Sequence, residues 1–125
     1  MPYTFSQPKL NNFLEDILEA LRIFEETEED IQAVCLCEPR YDEYDLEYED
    51  KVEVFPKEDF LDCHPWSYCR DKFNYEYDAG YGRVDCHNIV IYTTDTIYYI
   101  HEYDGSTEIR WISRNPTPFR KSPSY

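Results

Sequence analysis

The sequence predicts an α+β fold: an N-terminal amphipathic helix packed on an antiparallel β-sheet, with a C-terminal three-stranded meander. Three observations lead there. Apolar residues recur at intervals of three and four near the start of the chain, the helical period. Later they gather in short β-branched and aromatic runs, the pattern of half-buried and buried strands. Thr94-Asp95 and Asp104-Gly105 then punctuate the last third of the chain at hairpin spacing.

The helix is expected from Pro8 to about Phe24. Leu10, Phe13, Leu14, Ile17, Leu18, Leu21 and Phe24 form its apolar stripe, and Glu15 and Glu19 lie along the solvent side. Ser6 offers an N-cap oxygen, and Pro8 has the φ of a first helical turn. Ile31 to Cys37 is a short apolar run ending at Pro39, which suits a buried strand. In the next stretch Tyr44, Leu46 and Tyr48 alternate with Asp45, Glu47 and Glu49, as on a strand with one packed and one solvated face. Pro56 to Val84 has no clean period and contains Gly80 and Gly82, so a long irregular excursion is expected, with a helical turn at Lys57 to Leu61. Asn88 to Ser113 reads as the meander, with Asp104-Gly105 as its second turn because both central positions of a type I′ turn need positive φ. The organisation expected is one α+β domain over residues 1–114 and a Pro-rich basic tail, extended or disordered, over 115–125.

Composition argues for a folded chain despite its charge. The 125 residues carry a formal net charge of −15, yet 42% are hydrophobic and 18% aromatic, with thirteen Tyr. No stretch approaches the ~20 apolar residues of a membrane span and no basic-then-apolar leader is evident, so the expected location is the cytoplasm. Cys35, Cys37, Cys63, Cys69 and Cys86 are accordingly expected as reduced thiols or metal ligands, Cys35 and Cys37 acting as small buried hydrophobes, rather than as a disulfide framework.

The charge is concentrated. Residues 25–62 hold sixteen carboxylates against Arg40, Lys51 and Lys57, a net of −13. Such a surface attracts a basic partner and repels nucleic acid and anionic lipid, which speaks against direct nucleic-acid or membrane binding. Its centre is the Tyr-interleaved stretch Asp42, Glu43, Tyr44, Asp45, Glu47, Tyr48, Glu49, Asp50 and Glu53. On a strand, every second carboxylate sits about 6 to 7 Å from the next, given a rise near 3.3 Å per residue. That spacing is close to two phosphate steps of roughly 3.4 Å each. A row of carboxylates can therefore occupy the Lys and Arg side chains that grip phosphates, while Tyr adds stacking surface for Arg. The function expected is that of a non-enzymatic acidic inhibitor that blocks the basic groove of a nucleic-acid-binding protein. Small DNA-mimic and anti-CRISPR proteins of phages and mobile elements evade host defence by this logic; the likeness is one of charge and size, not of sequence.

Two other classes were weighed. Cys63, His64, Cys69, Cys86 and His87 carry the ligand chemistry of a zinc-stabilised protein-interaction adaptor, the alternative reading, but their spacing lacks the tight C-x2-C pair of closed zinc sites, so neither metal nor cofactor is expected. His64 or His87 beside a Cys would suit a small Cys/His enzyme, yet no nucleophile signature surrounds them and no catalytic residue is assigned. The basic residues Arg110, Arg114, Arg120 and Lys121 could pair head to tail with the acidic segment of a second copy, so homo-oligomerisation is a further expectation.

Overall fold

The computed structural model describes residues 10–38, 54–80, 86–103 and 106–115. Within them the fold is α+β. A five-stranded antiparallel sheet has the order β3-β2-β5-β6-β7, with β2 at Ile31–Leu36, β3 at Asp62–His64, β5 at Ile89–Thr93, β6 at Thr96–Tyr103 and β7 at Ser106–Ser113. A second, two-stranded sheet joins β1, Leu10–Asn12, to β4, Glu76–Asp78. The helices are α1, Phe13–Ile23, and the single turn α2, Trp66–Cys69.

The expected meander is present, because β5 and β6 alternate strictly. Ile89, Ile91 and Thr93 of β5 and Thr96, Tyr98 and Ile100 of β6 are buried, with the residues between them half-exposed. Register keeps them on one face: Val34 lies opposite Ile91, Ile91 opposite Tyr98, and Tyr98 opposite Trp111. Onto this face α1 places Phe13, Leu14, Ile17, Ala20 and Leu21, all at most 8% exposed. Burying each of the larger side chains contributes about 1.5–3 kcal/mol relative to exposure. Turn Asp104-Gly105 and the tail from residue 116 lie outside the described residues.

The helix begins five residues later than its periodicity suggested. Leu10 is 59% exposed and pairs with Asp78, so it belongs to a strand and not to the apolar stripe. Asn12, opposite Glu76, is the actual cap: its side-chain oxygen accepts from the Glu15 amide at 2.9 Å. Ser6 and Pro8 lie outside the described residues.

The excursion after Pro56 also corrects the expectation, since its described part is ordered in short pieces. A 3-10 turn at Lys57–Asp59 falls where a helical turn was expected, and β3, α2, a second 3-10 turn at Arg70–Phe73 and β4 follow. Its period is unclear because aromatic packing, not alternation, holds it. Phe55, 2% exposed, meets Phe60, Tyr68, Phe73 and His87 at centroid distances of 5.1 to 6.3 Å. Phe13 of α1 then meets Phe73, Tyr75 and Tyr77 at 5.3 to 5.5 Å, which joins the excursion to the main core.

The cysteine expectation is overturned for Cys35 and Cys63. Cys35 and Cys63 face each other across β2 and β3 and are disulfide-bonded. Val34 and Leu36 point into the core, so the intervening Cys35 points to the opposite face of the sheet and is no buried hydrophobe. Cys37, Cys69 and Cys86 remain thiols.

Candidate protein-binding surface

The acidic, Tyr-bearing stretch nominated from the sequence, Asp42, Glu43, Tyr44, Asp45, Glu47, Tyr48, Glu49, Asp50 and Glu53, lies outside the described residues. Its two attachments to the fold are defined. On the leaving side, Cys37 donates its amide to the Asn88 carbonyl at 2.8 Å, and Asn88 Nδ2 donates to the Glu38 carbonyl at 3.0 Å. On the returning side, Phe55 is sunk in the aromatic cluster, while Lys72 Nζ donates to the Val54 carbonyl at 3.4 Å and lies over the Phe55 and Tyr68 rings. The Cys35–Cys63 bond spans 28 positions of sequence, with this whole stretch between its ends.

Exposed carboxylates are spread over the described residues. Glu15 and Glu19 on α1, Glu25 and Glu29 in the turn after it, Glu38, Glu58, Asp62, Asp71 and Glu76 are all exposed. Most cations nearby are engaged by the fold itself. Arg22 pairs with Glu19, Arg110 with Glu108, and Arg70 with both Glu28 and Asp71. Arg114 donates to the Gln32 side chain and the Thr93 carbonyl, and its guanidinium lies 5.8 Å from the Tyr92 ring centre. The Arg70 guanidinium and the Trp66 indole N–H, both donating to Glu28, hold that carboxyl below the usual carboxylate range. Sequence reading missed this junction between the turn at Glu28–Asp30 and α2, because its partners lie 38 and 42 positions apart.

A groove lies between α1 and the start of β7. Asp16, Glu19 and Glu108 stand around it, and Ala20, Ile23 and Ile109 supply apolar wall. Asp16 Oδ2 accepts from Tyr77 Oη at 2.6 Å and from Asn11 Nδ2 at 2.9 Å, so the carboxylate is fixed in place. Burial, with the Asp16 contact, pushes the Tyr77 hydroxyl far above its ordinary range, so it stays a donor. Two of these carboxylates already hold arginines of the chain itself, Glu19 with Arg22 and Glu108 with Arg110. No local motif marks this groove; it exists only because α1 crosses beside β7.

The competing constellations come apart. Cys63 is bonded to Cys35, His64 Nε2 lies 2.8 Å from the Asp59 carbonyl oxygen, and His87 Nδ1 lies 2.7 Å from Tyr75 Oη. Cys69 is fully buried, and burial pushes its thiol up to about 11, which leaves little thiolate near neutral pH. Among the described residues no group of three or more His, Cys, Asp or Glu is arranged to hold a metal ion. His101 lies on β6, half-buried, with the parity of Tyr99 and Tyr103 on the face away from α1. No helix among the described residues is long and apolar enough to cross a membrane.

Comparison with protein-family models, with characterised proteins and with solved structures finds no match to this chain.

Proposed function

We propose that this chain is a non-enzymatic binding protein that lays an acidic, Tyr-bearing surface into the basic groove of a nucleic-acid-binding protein and so blocks it, as a DNA mimic or anti-CRISPR-type inhibitor does. The observation that supports this reading is the charge distribution: −15 overall and −13 within residues 25–62, with exposed carboxylates spread over the described residues and Arg22, Arg70 and Arg110 paired with carboxylates of the chain itself. Such a field speeds encounter with a basic partner and fixes the sign of the surface that it meets. Shape complementarity of the stapled, aromatic-anchored fold supplies the selectivity that charge alone lacks.

The test is capture from a host lysate at low and moderate salt, with wild type and an Asp45→Lys, Glu47→Lys, Glu49→Lys variant. A nucleic-acid-binding protein retained by wild type and lost with the variant is the expected result. Equal retention by both chains would remove the acidic stretch from the interface.

A further inference from the structure

The Cys35–Cys63 bond is placed where a soluble thiol can reach it. Cys63 is exposed, on a three-residue strand at the edge of the sheet, while Cys35 is half-buried on β2. Both sulfurs lie on the face opposite α1, in an open cleft lined by Cys35, Leu36, Cys37, Leu61, Asp62 and Cys63. Leu61 at the rim is 77% exposed. The cysteines away from this cleft, Cys69 and Cys86, are fully buried. Three register pairs and one covalent bond attach β3 to β2, so the bond is a large part of what holds this edge. Between the two cysteines run Glu38, Asp42, Glu43, Asp45, Glu47, Glu49, Asp50, Glu53, Glu58, Asp59 and Asp62.

We propose that Cys63 is a modification site at which a low-molecular-weight thiol forms a mixed disulfide, and that this exchange opens the staple closing the acidic stretch; the second half rests on the binding function proposed above. The attacking thiolate forms a bond to Cys63 Sγ, the Cys63–Cys35 bond breaks, and Cys35 leaves as a thiolate that takes up the thiol's proton. One disulfide is consumed and one is formed, so no outside oxidant enters. Cys63 is the sulfur attacked because it is the accessible one, and Cys35, on the inner strand, is the leaving group. Asp62 and the strong overall negative charge favour a cationic thiol over an anionic one at low salt. The bond closes a covalent loop of 28 positions, and loop closure in general lowers the entropy lost on association.

The experiment treats the full disulfide-bonded chain, in a Cys37→Ser background that removes the third sulfur of the cleft, with cysteamine or reduced glutathione and without denaturant. Peptide mass mapping should place the adduct on Cys63 over Cys35 by roughly tenfold or more, with cysteamine reacting faster than glutathione and the advantage shrinking as salt rises. Hydrogen exchange should show lost protection at residues 34–36 and 62–64 and unchanged protection through 89–113. Adduct formation only after denaturant, even partition between the two sulfurs, or protection lost through the meander would each overturn the site. The link to binding is read separately, with a Cys35→Ser, Cys63→Ser chain against the partner retained by wild type. Weaker capture by that chain is expected. Undiminished capture, alongside loss with the Asp45, Glu47 and Glu49 reversals, would refute the staple's role and leave the binding reading standing. Capture insensitive to those reversals would refute the binding reading while the adduct map still decides the site.

Discussion

The meander and the segment from residue 54 to 78 border the same core, yet they are held by different physics. In β5 and in β6 as far as Ile100 every second side chain is buried, strands of five and eight residues pair in order with β7, and sequence neighbours are also spatial neighbours. The other segment has strands of three residues, two 3-10 turns and one helical turn, and depends on a cluster of rings and a cross-link to β2. Alternation builds a local, self-consistent unit, whereas aromatic clusters and disulfides act over long sequence separations. The acidic stretch proposed as the interface leaves from β2 of the main sheet and returns at Phe55 of the second kind of structure, so only its returning end rests on the ring cluster.

That contrast can be broken from either side. The largest effect is expected from Phe13→Ala, because Phe13 is fully buried and its ring touches Phe73, Tyr75 and Tyr77. A loss of about 3–5 kcal/mol in urea unfolding is expected, with both regions melting together because this ring joins them. Separate melting of the two regions in the wild type would show that Phe13 does not couple them.

Next comes Cys35→Ser with Cys63→Ser. Removing the bond is expected to cost about 2–4 kcal/mol, with hydrogen-exchange protection lost mainly at β3 and the adjoining turn. An equal loss of protection in β6 and β7 would erase the distinction between the regions. Asn12→Ala removes the oxygen that accepts from the Glu15 amide and should cost about 1 kcal/mol, fraying the start of α1 and its join to β4 without reaching β7. Circular dichroism with thermal unfolding reads this directly.

The smallest effect concerns Glu28. Its folded pKa lies below the ordinary 4.5 because Arg70 and Trp66 hydrogen-bond to the carboxylate. A lowered folded pKa means that the contribution is fully present above pH 4.5 and is lost as pH falls through the folded value. Both partners are more than a third exposed, so solvent screens the pair and the contribution is small. Glu28→Gln should therefore flatten the acid limb of the stability curve slightly and leave pH 7 stability nearly unchanged. A large loss at pH 7 would show that the Glu28–Trp66–Arg70 junction does more than join a turn to α2.

The same contrast explains what the sequence disclosed. The helix and meander were legible because Ile17 and Leu21, or Ile89 and Ile91, recur with the period of their element. The start of α1 was misplaced because Leu10 continues the helical spacing while its backbone pairs with Asp78. The disulfide was missed because a three-residue strand such as Asp62–His64 is too short to show a period, and nothing local sets Cys63 opposite Cys35. The groove at Asp16, Glu19 and Glu108 was not legible, since it needs the crossing of α1 beside β7. The acidic stretch nominated as the interface remains a reading from sequence, because Asp42 to Glu53 lie outside the described residues.

The central claim is competition with nucleic acid, and displacement tests it most directly. With the captured protein bound to a fluorescently labelled DNA duplex, the chain is titrated in and anisotropy is followed at two salt concentrations. The account expects wild type to release the DNA at near-stoichiometric ratios, less effectively at higher salt, and the Asp45→Lys, Glu47→Lys, Glu49→Lys variant to release none. Wild type binding alongside DNA, with anisotropy unchanged or raised, would contradict it.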